Sequence, residues 1–373
     1  MHLATGLRLA LALGLSAGAS TTWTVVPSPS PSAQGNYLSG VTTIAPNDGW
    51  AVGAWYRPLG TPGTLTLHWD GAKWTQVRSP NATDGYNELY GVDALTSSDV
   101  WAVGYHNIAV YGSEKTMTMH WDGSRWTILP SANFGPNANE LFGVAAVASN
   151  DVWAVGFGNS TSNESGRALI EHWDGARWSL ARSPNPGPGF SQLRGVVGLS
   201  STDVWAVGGR EGDTLIEHWN GTTWSIVASP NGHRADSELY GLAATGPSDI
   251  WAVGESSGSS GSDPLVLHWD GTAWTAVPAM NGSLPYTSLV GLSALSPTDI
   301  WAVGYTDNPI TVKYQTVTEH WDGSAWTAVA SPNPGEYNSL SGVTGALGGD
   351  IWAVGGAGPD TLVLRTTDGA GAL

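Results

Sequence analysis

Histidine and aspartate, two residues that often carry out acid–base chemistry, recur together along this sequence. The segment His-Trp-Asp-Gly, once with Asn in place of Asp, occurs six times, beginning at His68, His120, His172, His218, His268 and His320. A second Asp stands two residues before a Trp in seven further segments, at Asp48, Asp99, Asp151, Asp203, Asp249, Asp299 and Asp350. A reaction needs one His–carboxylate pair rather than six. We therefore interpret both residues as structural: the Asp accepts backbone N–H groups of a turn, and the His bonds that Asp or a nearby carbonyl. A catalytic pair and a metal ion at each repeat are the alternatives.

Other candidate residues occur in only some of the repeats. Four residues occupy one position of consecutive repeats, just before an apolar run: Glu88, Glu140, Gln192 and Glu238. Two residues after each of them come Tyr90, Phe142, Arg194 and Tyr240. If the repeats close into a ring, these side chains converge near its axis. Our hypothesis is that Glu88, Glu140 and Glu238 hold a cation such as Ca²⁺, which binds carboxylate oxygens. The alternative is a solvated acidic rim with no cofactor.

The composition excludes several classes of site and partner. With no Cys in 373 residues, disulfides, Cys-based zinc sites and iron–sulfur clusters are excluded. A net charge of −17 argues against nucleic acid and against an anionic membrane surface. Gly (50 residues) and Trp (21) are abundant and charged residues make up only 12%. This composition is typical of short strands joined by tight turns.

The N-terminus has the pattern of a signal peptide. An apolar run from Leu7 to Ala19 has Arg8 near its start and ends in Ala17-Gly18-Ala19, a small-x-small cleavage pattern. We therefore predict a signal peptide over residues 1–19 and a secreted or cell-surface protein; an apolar N-terminus without that role is the alternative. The run is too short to span a bilayer, and no later segment approaches that length. We expect a monomer.

The Trp residues that follow the seven Asp are spaced 46 to 52 residues apart, a period that indicates a propeller or a solenoid. Each repeat contains four apolar runs, for example Leu89 to Leu95, Val100 to Gly104, Thr116 to Trp121 and Trp126 to Leu129. We name the corresponding strands a, b, c and d. Asp-Gly between strands c and d predicts a hairpin. In Val-Trp-Ala-Val of strand b, alternation places Trp and the second Val on one face and Ala and the first Val on the other.

The seventh repeat lacks strand d, and the missing strand is found at the other end of the chain. The seventh repeat stops after Asp368-Gly369 without its Trp, whereas Trp23 lies in an isolated strand before the first repeat. We predict that this segment pairs alongside Thr361 to Thr366 and closes the ring. Residues 20–373 are therefore expected to form one all-β domain, a seven-bladed propeller of four antiparallel strands per blade. A solenoid is the alternative.

The repeat resembles the kelch-type and galactose-oxidase-type propeller repeats. The matching residues are Val207-Gly208-Gly209 at the end of strand b, His218-Trp219 on strand c and Trp224 on strand d. The Asp-Gly-x-x-Trp part is similar to the Asp-box hairpin of sialidase-type propellers. The resemblance implies the propeller fold. It transfers no enzyme site, because the galactose-oxidase copper site requires a Cys-linked Tyr and this chain contains no Cys.

Functional residues are expected on the propeller face that carries the variable b–c and d–a connections. The candidates for ligand binding are Trp55, Tyr56, Arg57, Tyr105, His106, Arg194, Arg210, His233, Tyr305 and Tyr314; ordinary loop packing is the alternative for them. We expect a secreted, non-enzymatic binding module whose ligand is a protein or a carbohydrate. One alternative is a multivalent lectin, which needs repeated Trp faces open to solvent. The other is a hydrolase or lyase that uses Glu88 or Glu140 with Arg194 or His233.

Overall fold

The structure, a computed structural model, describes residues 22–58, 60–107, 113–159, 166–184, 189–279, 286–308, 313–345 and 349–367. These residues form seven sheets of four antiparallel strands. The innermost strands of neighbouring sheets contact each other all the way around, so the sheets are the blades of a closed ring. The predicted seven-bladed β-propeller is therefore confirmed. No helix is present among the described residues, and hence none there is suited to cross a membrane. The predicted signal peptide and Asp368-Gly369 lie outside them.

The strands are numbered in chain order. The first thirteen are β1 (Thr24–Val25), β2 (Asn36–Ala45), β3 (Asp48–Tyr56), β4 (Pro62–Trp69), β5 (Trp74–Val77), β6 (Tyr86–Thr96), β7 (Asp99–Asn107), β8 (Lys115–Trp121), β9 (Trp126–Leu129), β10 (Asn139–Ala148), β11 (Asp151–Gly158), β12 (Arg167–Trp173) and β13 (Trp178–Ala181). The others are β14 (Ser191–Ser200), β15 (Asp203–Arg210), β16 (Asp213–Trp219), β17 (Trp224–Ile226), β18 (Asp236–Gly246), β19 (Asp249–Gly258), β20 (Gly261–Trp269), β21 (Trp274–Ala276), β22 (Thr287–Ser296), β23 (Asp299–Asn308), β24 (Lys313–Trp321), β25 (Trp326–Ala328), β26 (Asn338–Gly345), β27 (Asp350–Ala357) and β28 (Asp360–Thr367). Blade 1 is β2–β5, blades 2 to 6 follow in fours, and blade 7 combines β26, β27 and β28 with β1.

The ring is closed by the N-terminal segment, as predicted. In β1, Thr24 pairs with Arg365 and Val25 pairs with Leu364, both on β28. The chain continues alongside β28, where Ser28 and Ser30 hydrogen-bond the Thr361 hydroxyl. Both ends of the described chain therefore lie in blade 7, and the ring closes without leaving an unprotected sheet between the first blade and the last.

The strands are longer than the apolar runs that predicted them. The run Leu89 to Leu95 lies within β6, and pairing between β6 and β7 continues up to Tyr86 and Asn107. Backbone N–H and C=O groups keep pairing across the hairpin until the chain must turn. Several residues that we expected in b–c loops therefore lie on strands, namely Trp55, Tyr56, Tyr105, His106, Arg210, Tyr305 and Tyr314.

Each interface between blades uses the two faces of strand b as expected. Trp101 and Val103 of β7 pack towards blade 3, whereas Val100 and Ala102 pack towards blade 1. The Trp101 ring lies 5.3 Å from Trp173 of the next blade. The strand-b Trp residues are 0–3% exposed and the strand-d Trp residues 3–6%. Burial of this much aromatic surface stabilises the ring without disulfides.

Two glycine positions of the repeat have a direct geometric reason. A Cβ added to Gly104, at the end of the Val-Trp-Ala-Val-Gly segment, would lie 1.9 Å from the backbone oxygen of Glu88 on the neighbouring strand. Gly123 of the c–d hairpin has φ +89°, a left-handed conformation that favours Gly. The Asp122 carboxylate caps this turn by accepting the N–H groups of Ser124 and Arg125.

The repeated His and Asp form hydrogen bonds in all six copies. The distance between His Nε2 and the Oδ1 of the strand-b Asp is 2.7–2.9 Å in each. His120 packs 4.4 Å from Trp101, whose indole N–H donates to the same Asp99 oxygen. In blade 7 the position of the His is taken by Arg365, which donates to Asp350 at 2.6 Å. These pairs anchor strand c and the strand-b Trp at one end of each blade, so they are structural.

Candidate functional site

The connections between strands are uniform in length on one face of the propeller and vary in length on the other. The a–b and c–d turns of blades 1 to 6 are short and lie on one face. The b–c and d–a connections lie on the other face, which we call the variable face. On that face blade 7 has a b–c connection of two residues, Gly358 and Pro359, between β27 and β28. Blade 7 is therefore low compared with its neighbours.

A cavity of about 670 Å³ opens on the variable face around the propeller axis, and we call it the central cavity. Its walls come from the first residues of the innermost strands. Side chains there point alternately into the cavity and into the interface between blades. In β10, Glu140 and Phe142 face the cavity, whereas Leu141 between them is fully buried in the interface between blades. Other blades contribute lining residues from the same positions, namely Tyr37, Tyr90, Gln192, Arg194, Tyr240 and Ser339.

Glu88 is held by two tyrosines at the edge of this cavity. Tyr37 donates its hydroxyl to Glu88 Oε2 at 2.6 Å, and Tyr90 donates to the same oxygen at 3.1 Å. Burial first, and the Glu88 charge second, raise the pKa of both tyrosines above the usual value. Both hydroxyls therefore stay protonated and keep donating to the carboxylate across the physiological range.

Arg194 is the one cationic side chain among the described residues that line the cavity. Its Nε donates to Glu238 Oε1 at 3.1 Å, and Gln192 donates to the same oxygen. Its guanidinium lies 4.2 Å from the centre of the Phe142 ring. The charge of Arg194 is thus balanced by Glu238, and its orientation is set by stacking on an aromatic face.

Glu140 is the acidic residue that lines the cavity directly. Its carboxylate forms no hydrogen bond with any residue that the structure describes. Burial, followed by the negative charge of Glu114, raises the pKa of Glu140 to about 7, although Arg194 acts in the opposite direction. At neutral pH Glu140 is consequently divided between its charged and uncharged forms.

The predicted calcium ligands Glu88, Glu140 and Glu238 lie on successive blades around the cavity but do not form a metal centre. Across the described part of the chain, no three His, Asp or Glu side chains lie together closely enough to hold a metal ion. Glu88 and Glu238 already accept hydrogen bonds from neighbouring blades. The geometry therefore gives the calcium hypothesis no support.

A second depression, which we call the seam groove, runs across the low blade 7 and measures about 1050 Å³. Tyr314 and Tyr337 of the blade 6 side are 40% and 46% exposed at one wall, and Tyr56 of blade 1 contributes to the other. Tyr37 and Ser339 line both the seam groove and the central cavity. The two depressions therefore adjoin at these two residues.

Tyrosine rings follow one another along this path. Tyr305, at the central cavity, is 5.5 Å from Tyr314. Tyr314 is in turn 6.3 Å from Tyr337, and on the blade 1 side Tyr37 is 6.4 Å from Tyr56. Rings with an apolar face and a polar hydroxyl suit a ligand that offers both kinds of surface, at little cost in side-chain entropy.

Four of the predicted ligand-binding residues meet at these depressions. Tyr56 and Tyr314 line the seam groove, and Arg194 and Tyr305 line the central cavity. Tyr105 stands one layer back, stacked on Tyr90 at 5.9 Å.

The other predicted binding residues lie elsewhere. Trp55 lines a separate pocket at the blade 1 rim, and Arg210 lines a small pocket between blades 4 and 5. His106 is half-buried, and burial together with Lys115 lowers its pKa. His233 is 75% exposed and bonds Asp263 at 2.9 Å. His233 therefore does not line the central cavity with Glu140 and Arg194.

Arg57 has a structural role. Its side chain donates to the backbone oxygens of Thr61, Pro62, Asp84 and Gly85, which ties the b–c and d–a connections of blade 1 together. A guanidinium whose donors are used by four carbonyls is poorly placed to bind a ligand.

Tyr37 and Ser339 were missed by the sequence analysis, although a signal for them exists. Tyr37 precedes Leu38-Ser39-Gly40 as Glu88 precedes Leu89-Tyr90-Gly91. Ser339 stands at the same place before Leu340-Ser341-Gly342. Alignment of all seven repeats on this Leu-x-Gly pattern would have placed both residues at the axis.

No model of a known protein family matches this sequence, and no curated protein matches it either. Solved structures share its fold. A structure described as YCF48 bound to D1 peptide is 14% identical, covering 92% of this chain and 96% of its own, with a TM-score of 0.57. The WD40 repeats of RRP9 are 9% identical, covering 94% and 99%, with a TM-score of 0.60. The extracellular domain of a putative one component system from B. thetaiotaomicron, BT4673, is 9% identical over 93% of this chain and 40% of the longer chain, with a TM-score of 0.56. At these identities the likeness shows the fold alone: this chain is a seven-bladed propeller with WD40 repeats among its structural neighbours.

Proposed function

We propose that this protein is a non-enzymatic binding module that holds an extended polypeptide segment along the seam groove, with part of the segment in the central cavity. The observation that carries the proposal is that the two depressions adjoin at Tyr37 and Ser339, which line both of them. Blade 7, which is low compared with blades 1 and 6, gives an elongated path between them on the rigid frame of the propeller. Such a path fits a chain better than a compact small molecule.

The surface chemistry agrees with a polypeptide ligand. Tyr314 and Tyr337 are among the large hydrophobic side chains left exposed on the described surface, and they are adjacent. Tyrosines exposed next to a groove are typical of protein-recognition surfaces, where one ring gives both apolar contact and a hydroxyl. The neighbour described as bound to a D1 peptide is a propeller of similar extent, which adds support by analogy.

Two further parts of the proposal concern the location of the protein and the type of its repeat. Secretion is supported by the Leu7 to Ala19 run, and one structural neighbour is an extracellular domain. N-terminal sequencing of the exported protein would test it through cleavage after Ala19. The kelch-type assignment is supported by Gly208-Gly209 at the end of strand b and Trp224 on strand d.

The binding function is tested with an array of short random-sequence peptides probed with the purified protein. We expect a subset of peptides to bind, and Tyr314→Ala and Tyr337→Ala to weaken that binding at least about tenfold while the melting temperature stays unchanged. The matched control is Phe190→Ala, which removes a 41% exposed ring on the opposite side of the variable face. No bound peptide, or equal losses in all three variants, would contradict the proposal.

A carbohydrate is the second candidate ligand, because the same tyrosine rings suit the apolar faces of sugars. The multivalent lectin is less well supported, because the strand-b and strand-d Trp residues are at most 6% exposed. The strand-c residue Trp121 is partly exposed, but its indole N–H donates to the Ser97 carbonyl. A glycan array probed in parallel with the peptide array distinguishes the two ligand classes.

A further inference from the structure

We propose that the central cavity receives a cationic side chain, Lys or Arg, from the bound polypeptide. This inference rests on the proposed function and adds the chemistry of the residue that the ligand places at the propeller axis. A cationic side chain of the ligand would complement the charge of the residues around this cavity.

The balance of charge around the cavity is negative. Glu140 lines the cavity, and Glu88 lies directly behind Tyr37 and Tyr90. Glu255 stands behind Tyr240, whose hydroxyl donates to it at 3.1 Å. Arg194, the one cation among the lining residues that the structure describes, is already paired with Glu238. A cation that enters this space meets uncompensated negative charge, whereas an anion would face repulsion from several carboxylates.

Glu140 is the group that would pair with this cation. It lines the cavity, and the described residues leave its carboxylate without a hydrogen-bond partner. The charged groups that act on it come from three neighbouring elements: Glu114 just before β8, Glu88 on β6 and Arg194 on β14. Two of the three repel it. A ligand ammonium or guanidinium would therefore relieve a repulsion that the free protein contains.

The aromatic walls are suited to the same ligand group. The guanidinium of Arg194 already lies 4.2 Å from the centre of the Phe142 ring, so the cavity accommodates a cation over an aromatic ring. Tyr240 and Tyr305 line the cavity as well. Rings around a partly dehydrated cation attract it through their electron-rich faces, and they also pack against the methylene groups of Lys or Arg.

The test uses the tightest peptide from the random array, its copy with norleucine in place of each Lys or Arg, the wild-type protein and Glu140→Gln. We expect the array to be enriched in Lys and Arg. Isothermal titration should show at least about tenfold weaker binding for the norleucine copy and for Glu140→Gln with the original peptide. The two changes together should cost little more than either alone, because they remove the same contact.

The pH dependence gives a readout that a merely structural role for Glu140 would not produce. Because the cation pairs with the charged form of Glu140, wild-type affinity should rise between pH 6 and pH 8, and Glu140→Gln should abolish this rise. The matched control is Asp84→Asn, which removes an exposed carboxylate on the variable face outside both depressions.

The outcomes separate this inference from the proposed function. Peptides without Lys or Arg that bind through Tyr314, with unchanged affinity for Glu140→Gln, would overturn the cationic ligand and leave the binding module intact. Equal losses for Glu140→Gln and Asp84→Asn would also overturn it, because the effect would then come from net charge. A protein that binds no peptide would overturn both.

Discussion

Trp23 packs edge-on against Trp301, with 5.4 Å between the ring centroids and 88° between the ring planes. The same arrangement joins Trp326 to Trp251 one interface earlier, at 5.8 Å and 76°. Trp23 thus takes the place of the strand-d Trp of blade 7, although it comes from the opposite end of the chain. The stability of the ring depends on this non-local contact.

The first prediction concerns this closure. Trp23→Ala removes a ring that is 5% exposed and should lower the free energy of unfolding by about 3–5 kcal/mol, as large-to-small core substitutions do. Urea unfolding followed by Trp fluorescence measures the change. Val25→Ala, two residues further along the same segment but 47% exposed, is the control and should have little effect. Similar midpoints for the two variants would show that the N-terminal strand does not seal the ring.

The second prediction concerns the repeated His–Asp pair. His120→Ala leaves Asp99 without its 2.9 Å bond and uncovers Trp101, so it should reduce stability by roughly 1–3 kcal/mol. Peptide binding should not change, because the pair lies at the end of the blade away from the variable face.

Arg365→His provides the matched comparison for this pair. It places the repeat residue opposite Asp350 and should be nearly neutral, since the carboxylate keeps a partner. A loss of binding without a loss of stability in His120→Ala would contradict the structural role.

The third prediction is that stability falls as the pH rises above about 5. Burial raises the pKa of Glu171 to about 8, that of Glu217 to about 7 and that of Asp93 to about 6. A group whose pKa is raised by folding binds its proton more tightly in the folded state. Its stabilising contribution is complete below the unfolded pKa, near 4.5 for Glu, and is lost as the pH rises through the folded value.

Glu171→Gln tests this prediction. The amide resembles the protonated carboxyl and can still accept the Ala132 N–H, so the variant should be more stable than the wild type at pH 8.5 and show a flatter pH profile. Melting temperatures between pH 5 and pH 9 measure both effects. Glu336→Gln, whose side chain is 64% exposed, is the control. A wild-type profile that rises towards pH 8 would refute the prediction.

The fourth prediction concerns the acidic side of the profile. Hydrogen bonds from Ser or Thr hydroxyls and from turn N–H groups lower the pKa of Asp122, Asp270 and Asp322 to about 2. Their stabilising contribution is present above the unfolded value near 3.8 and is lost as the pH falls towards 2. The buried acids Glu171, Glu217 and Asp93 have the opposite effect, because their contribution is lost as the pH rises. Maximum stability is therefore expected near pH 4–5. Asp122→Asn should lose less stability than the wild type as the pH falls. An equal loss of stability in the two proteins at low pH would contradict this role.

The fifth prediction concerns calcium. Because Glu88 and Glu238 are engaged by Tyr37 and Arg194, millimolar Ca²⁺ should give no calorimetric heat and no thermal shift. A saturable heat that Glu140→Gln abolishes would restore the calcium site that the sequence suggested.

The sequence could predict the fold because each blade repeats its own packing signal. The Asp-x-Trp spacing defined the blades, and the unpaired Trp23 revealed how the ring closes. It could not predict the seam groove, because the groove forms where Tyr56, Tyr314 and Tyr337, which are distant in the sequence, meet around the connection at Gly358-Pro359. Nor could it show that Arg57 is used by backbone carbonyls, since those partners are fixed by how two connections lie together.

The central claim is that a polypeptide lies across the low seventh blade with one side chain at the axis. Hydrogen–deuterium exchange of the protein, with and without the tightest array peptide, tests it most directly. The account predicts slower exchange in residues 335–339 and 356–361, which form the seam groove, and near Glu140 at the cavity wall. Protection confined to the face of short a–b and c–d turns, or to the outer edges of the blades, would contradict it.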